Sequence, residues 1–179
     1  MNHFMEVTLD ELLLSRDNRH QMHLELLKQY PGRTLVSVTM VMPGPVKSNF
    51  ISLSLADKAE AFLHHYQPLQ IEHITRRDLN TGSEIYFISR LPILETKALC
   101  CRIEDEHPLG RLWDFDVIQP DSTPLSRTEI GLAPRKCIIC GNQDAINCIR
   151  ARRHSKPDLY ARVEELFQQY HDTPDDYEL

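Results

Sequence analysis

The sequence predicts an α+β fold: a single domain over residues 1–179, with a mixed, mostly antiparallel sheet and helices packed on it. Three observations predict it. A capped segment of helical period opens the chain, and another closes it. Between them, most β-rich runs are separated by turns and not by long helices, which implies antiparallel neighbours. A chain of 179 residues is also long enough to bury a core as one domain.

Thr8-Leu-Asp-Glu11 forms a capping box, so a helix should run to about Tyr30, before Pro31-Gly32. Its apolar stripe contains Leu9, Leu12, Leu13, Leu24 and Leu27, and Arg16, His20 and His23 fall inside it. A charge on a buried face needs a partner or an anion. Arg16 is thus a candidate for a ligand phosphate or for a distant carboxylate. Thr34 to Met42, rich in valine and threonine, reads as a buried strand. It ends in the rigid turn Pro43-Gly44-Pro45-Val46-Lys47, and a helix should follow from about Asn49 to Tyr66. Three strands are expected next, Leu69 to Arg76, Glu84 to Arg90 and Lys97 to Glu104, with Asn80-Thr-Gly82 as a turn and Pro92 as a break. In the third of these, Cys100 and Cys101 would lie on opposite faces. Leu125 to Glu129 reads as a hairpin return. Ser155 caps a last helix to about Tyr170, with Leu159, Val163, Leu166 and Phe167 turned to the core. The acidic end, about 172–179, is expected to fray.

The stretch from His107 to Val117 carries the chemistry. Pro108 and Gly110 make a turn, and the residues after it alternate with a period of two. Trp113, Phe115 and Val117 share one face; Asp114 and Asp116 share the other. Two carboxylates that close repel, and they stay ionised together only where water or a cation reaches them. Mg²⁺ accepts one or two carboxylates when phosphate supplies further oxygens. Asp114 and Asp116 are therefore a candidate Mg²⁺ pair for phosphoryl or nucleotidyl transfer, or else the solvated face of an edge strand. Arg111 beside the turn can meet a phosphate bidentately.

Cys137-x2-Cys140, Cys148 and His154 form a second constellation. Three thiols and an imidazole are a legitimate Zn²⁺ set, but the flanking isoleucines equally suit buried core thiols. The net charge of −6 argues against general nucleic-acid binding. No apolar run approaches the roughly 18 residues of a membrane span. The start of the chain lacks the pattern of a secretory leader, so a cytoplasmic location with reduced thiols is expected. Arg127, Arg135, Lys136, Arg150, Arg152 and Arg153 make one basic segment, suited to a single anionic ligand or to a solvated helix face.

His107 to Val117 resembles the central motif of the holo-citrate lyase synthases, the apo-citrate lyase phosphoribosyl-dephospho-CoA transferases. Leu13 to Arg19, Pro43-Gly44-Pro45-x-Lys47, Arg135-Lys136-Cys137-x2-Cys140 and Cys148-x-Arg150-x3-His154 resemble the same family, in the right order. The resemblance implies an enzyme that carries a prosthetic group from triphosphoribosyl-dephospho-CoA to a serine of the citrate lyase acyl carrier subunit, releasing diphosphate. It adds Arg16, Arg19, Lys47, Arg127, Arg135, Arg150 and His154 as substrate-binding candidates. With Asp114, Asp116 and Arg111, it makes His107 a catalytic candidate; His107 or His154 would be the general base, or a turn histidine. More loosely, the glycine turn and paired aspartates resemble a nucleotidyltransferase strand, so a nucleotidyltransferase-like arrangement is one form the fold can take. Two other functions fit the same residues: a related nucleotidyltransferase acting on another acyl carrier protein, and a non-enzymatic, zinc-stapled module that binds an acidic protein.

Overall fold

The computed structural model describes residues 5–171. The acidic end at 172–179 lies outside the described residues. The first helix, α1 (Leu9–Gln29), starts as the capping box dictates: the Glu11 N–H donates to Thr8 Oγ1 and the Thr8 N–H to Glu11 Oε2 (3.3 and 2.7 Å). β1 (Thr34–Met40) follows, then α2 (Phe50–His65), capped by Asn49. β2 (Ile71–Leu79) and β3 (Gly82–Ser89) form a hairpin whose turn needs the positive φ of Gly82. α3 (Ile93–Glu106), β4 (Trp113–Ile118), α4 (Ala145–Arg150) and α5 (Lys156–His171) complete the order.

The sheet is antiparallel throughout, in the order β2-β3-β1-β4. One face carries Val36, Val38, Ile85, Phe87, Trp113, Phe115 and Val117. These pack with Leu55, Ala59 and Leu63 of α2, Cys100 and Ile103 of α3, and Val163 and Phe167 of α5. The other face is apolar at one end only, where Leu35, Ile88 and Ile118 meet Leu26 of α1.

Three expectations are corrected. Residues 97–104 are helical: Ile93, Thr96, Lys97, Cys100, Cys101 and Glu104 turn inward at helical spacing, behind a cap at Pro92. Cys100 and Cys101 therefore both face the interior. The return after β4 is a single bridge between Ile118 and Pro124, followed by a 3-10 turn at Thr128–Ile130. α1 is rotated by roughly a quarter turn from its leucine stripe. Ser15, His23 and Leu26 are buried, whereas Leu9, Leu13 and Leu24 are exposed. The cause lies beneath it: α1 covers the polar half of the sheet, where Ser15 bonds Thr81 and Arg19 pairs with Glu84 (both 2.9 Å).

Candidate active site

The antiparallel register builds the site. Residues directly opposite share a face, so Asp114 (β4), Thr39 (β1), Glu84 (β3) and Arg77 (β2) form one row across the sheet. Asp116, Ser37, Tyr86 and Thr75 form the next. Both rows lie on the face that α1 covers. Asp114 has an exposed side chain, while burial and then the Asp114 charge push Asp116 up to about 6. Glu84 is buried under α1. Burial pushes its carboxyl up, but hydrogen bonds from Tyr86 and Arg77 and the charge of Arg19 outweigh it, and the net shift is downward. Arg19 Nε and Arg77 Nη2 pair with its two oxygens at 2.9 and 2.6 Å. His23 packs edge-on against Tyr86, and burial lowers it to about 4. His23 Nε2, Ser37 Oγ and Arg77 Nε are buried without a hydrogen-bond partner. The floor beside Asp116 thus has unused polar capacity.

The outer edge of β4 is closed by side chains. The Phe115 N–H donates to Glu104 Oε1 (2.9 Å), and Lys97 Nζ donates to the Phe115 carbonyl (3.3 Å). Arg135 donates to the carbonyls of Gly110, Arg111 and Trp113 (3.1, 3.2 and 3.0 Å) and lies 3.5 Å from Asp114. Arg127 pairs with Glu104 (2.7 Å) and Asp105 (2.9 Å). Arg111 donates to the Lys136 carbonyl. Three arginines expected on phosphate are thus engaged within the fold, because an edge strand beside buried carboxylates must be satisfied first. His107 lies in the aromatic core, 4.4 Å from the Trp113 ring and 4.9 Å from Phe62. Its Nδ1 accepts the Leu109 N–H (3.0 Å), and burial lowers it to about 4.

Lys47 donates to the Met42 carbonyl (2.6 Å), in the loop after β1 and against Gly82. Burial lowers its pKa. Arg16 is exposed, off the buried face on which its candidacy was argued. Arg150 is exposed at the end of α4. A cleft of about 510 Å³, lined by Tyr30, Arg33, Arg90 and Ile118 among others, lies at the opposite end of the sheet. Sequence reasoning missed Ser37, Glu84, Tyr86, Lys97 and Glu104. Glu84 and Tyr86 do carry a signal, a polar i, i+2 pair inside an apolar strand.

The profile of the apo-citrate lyase phosphoribosyl-dephospho-CoA transferases matches residues 7–170. Similar proteins of that description occur in Escherichia coli O1:K1 and Shigella boydii serotype 18. Each is 36% identical over 163 residues, covering 89% of this chain and 88% of its relative. The chain belongs to this transferase family. Its membership overturns the reading of a non-enzymatic module. No described helix is long and apolar enough to cross a membrane.

In this transferase the cysteine constellation is assembled. Cys137, Cys140, Cys148 and His154 bring one ligand atom each to within 4.8 Å of the others, a set that can hold a metal such as zinc. The core-thiol reading holds for burial alone: Cys137 and Cys148 are buried, Cys140 is exposed. Cys140 and Cys148 lie 3.7 Å apart. The backbone N–H of Gln143 draws Cys140 down to about 6, while desolvation pushes Cys148 up to about 11.

Proposed function

We propose that the chain transfers the phosphoribosyl-dephospho-CoA group from triphosphoribosyl-dephospho-CoA to a serine of the acyl carrier (gamma) subunit of apo-citrate lyase, with release of diphosphate. The observation that carries this reading is the placement of Asp114 and Asp116 on one face of β4, beside Ser37 and Thr39. This donor set is all hard oxygen, and it fits Mg²⁺ better than a soft metal. Burial beside Asp114 raises the cost of ionising Asp116, and a cation at the pair would remove that cost. When bound, Mg²⁺ supplies positive charge for the phosphate oxygens of donor and leaving group.

The chain's own residues do the rest. The serine oxygen attacks the α-phosphorus, the bond to diphosphate breaks, and the hydroxyl proton passes to solvent. Arg19 lies on α1 above the aspartates, where its charge acts on both Glu84 and Asp116. Glu84 takes only its Nε, so its remaining guanidinium nitrogens are our first choice for a phosphate contact, with Arg16 three residues earlier on α1; Lys47 would have to leave the Met42 carbonyl to join them. Arg127, Arg135 and Arg111 act by fixing β4 and its turn. His107 holds the turn and not the serine proton, because its ring lies in the core on the opposite face from the aspartates.

Incubation with the apo carrier subunit, Mg²⁺ and the donor tests the reading by intact-mass spectrometry. The carrier should gain the donor mass less diphosphate. Asp114→Asn should cut the rate at least about 100-fold, since even outer-shell partners of a metal cost up to that much. Modification of a different acyl carrier alone would move the assignment to that carrier. No gain on any carrier from a folded preparation would refute it.

A further inference from the structure

We infer that Cys137, Cys140, Cys148 and His154 bind one structural Zn²⁺, and that this ion staples the segment whose Arg135 braces the aspartate strand. The site does not depend on the transferase reading, because its zinc is measured without substrate.

The geometry is that of a closed four-ligand set. The 3.7 Å between the sulfurs of Cys140 and Cys148 is far longer than a disulfide of about 2.05 Å. It is close to the separation of about 3.8 Å that two thiolates take around a tetrahedral zinc with bonds of about 2.3 Å. The Cys137-x2-Cys140 turn is built for this: the Gly141 N–H donates to the Cys137 carbonyl (3.0 Å), and Gly141 takes a φ of +68°. His154 Nε2 is buried with no hydrogen-bond partner, an orphan that a metal would satisfy. Three sulfurs and an imidazole favour zinc over Mg²⁺, and four protein ligands make the site structural.

Apart from the ligand set, the segment is anchored at Ile138, which packs against the main core and whose carbonyl accepts from Arg162 Nε (3.1 Å). Ile146 and Ile149 of α4 are exposed. Its internal order rests on a bridge between Lys136 and Asp144 and on main-chain bonds from Cys137 to Gln143 and from Ala145 to Arg135. Yet it delivers Arg135 to three carbonyls around Gly110 and Trp113, and Lys136 offers its carbonyl to Arg111. The staple thus acts on Asp114 through Arg135, as a positioning device.

Protein purified from zinc-supplied medium without chelator should carry about one zinc per chain by emission spectrometry. Cys140→Ser and His154→Ala should each weaken zinc binding at least about tenfold. Cys101→Ser, whose thiol lies on α3, should keep the zinc. Hydrogen exchange reads the staple. In Cys140→Ser, amides over 135–154 should exchange at least about tenfold faster, those of β4 should follow, and those of α2 should not change. Protein lacking zinc while all its thiols titrate, a Cys140–Cys148 disulfide, or full zinc in both variants would overturn the site. Unchanged exchange in β4 after zinc loss would overturn the staple.

Discussion

At Gly110 a Cβ would lie 2.2 Å from the Ile103 carbonyl oxygen and 2.8 Å from that of Glu104. Both are backbone atoms at the end of α3 and cannot swing away. Gly110→Ala should therefore cost about 3 kcal/mol, read as a lowered denaturant midpoint, although the residue has no left-handed φ to explain its identity. His107, three residues earlier, sets an acid limit. Burial lowers it to about 4, and its ordinary value in an unfolded chain is about 6.5. Between those values the unfolded chain binds a proton that the folded one does not, so this stability is present above pH 6.5 and lost as pH falls toward 4. His23 acts in the same direction. Asp116, raised to about 6, opposes them with a single proton. The thermal midpoint should fall from pH 7 to 5. It should fall less steeply in His107→Asn, by up to about 1.4 kcal/mol per pH unit, because one proton uptake is gone. At this scale the sequence is legible where a pattern is local. Asp114 and Asp116 stand out from the strand alternation, whereas Ser37 becomes a site residue only through its pairing with Asp116.

The β4 strand shows what its neighbours do for it. It is an edge strand, yet its Phe115 amide and its Phe115 and Trp113 carbonyls are taken by Glu104, Lys97 and Arg135. Glu104 is the centre of this arrangement, shared by the Phe115 N–H, Arg127 and, at 3.6 Å, Arg135. Glu104→Gln removes a buried charge that two arginines face. It should cost about 3 kcal/mol, and calorimetry at neutral pH checks it. A loss under about 0.5 kcal/mol would mean that Asp105 alone satisfies Arg127. The element that supplies Glu104 is also the one the sequence misled on. Residues 97–104 alternate enough to read as a strand, and only the inward spacing from Ile93 to Glu104 shows the helix. The start, end and caps of α1 were legible, but its rotation was not. The polar rows that face Arg19 and His23 come from four separate strands, and the Thr81 that bonds Ser15 comes from the turn between two of them.

Across the whole molecule, α2, α3 and α5 cover one face of the sheet and α1 the other. The α+β class and the antiparallel sheet were readable from short strands and turns. The division of the sheet into an apolar face and a half-polar one was readable only in β4, because β1 and β3 are almost continuously buried. The pairing of β1 with β4 sets Thr39 against Asp114 and Val38 against Phe115. A slip of one residue would turn both aspartates into the aromatic core and expel Trp113 and Phe115. No misregistered chain could hide such an error, since it would bury two unpaired charges and expose two large rings at once. The carboxylates that give the strand its chemistry therefore also proofread its assembly, and a molecule that folds at all arrives with the pair on the α1 side of the sheet, away from the aromatic core.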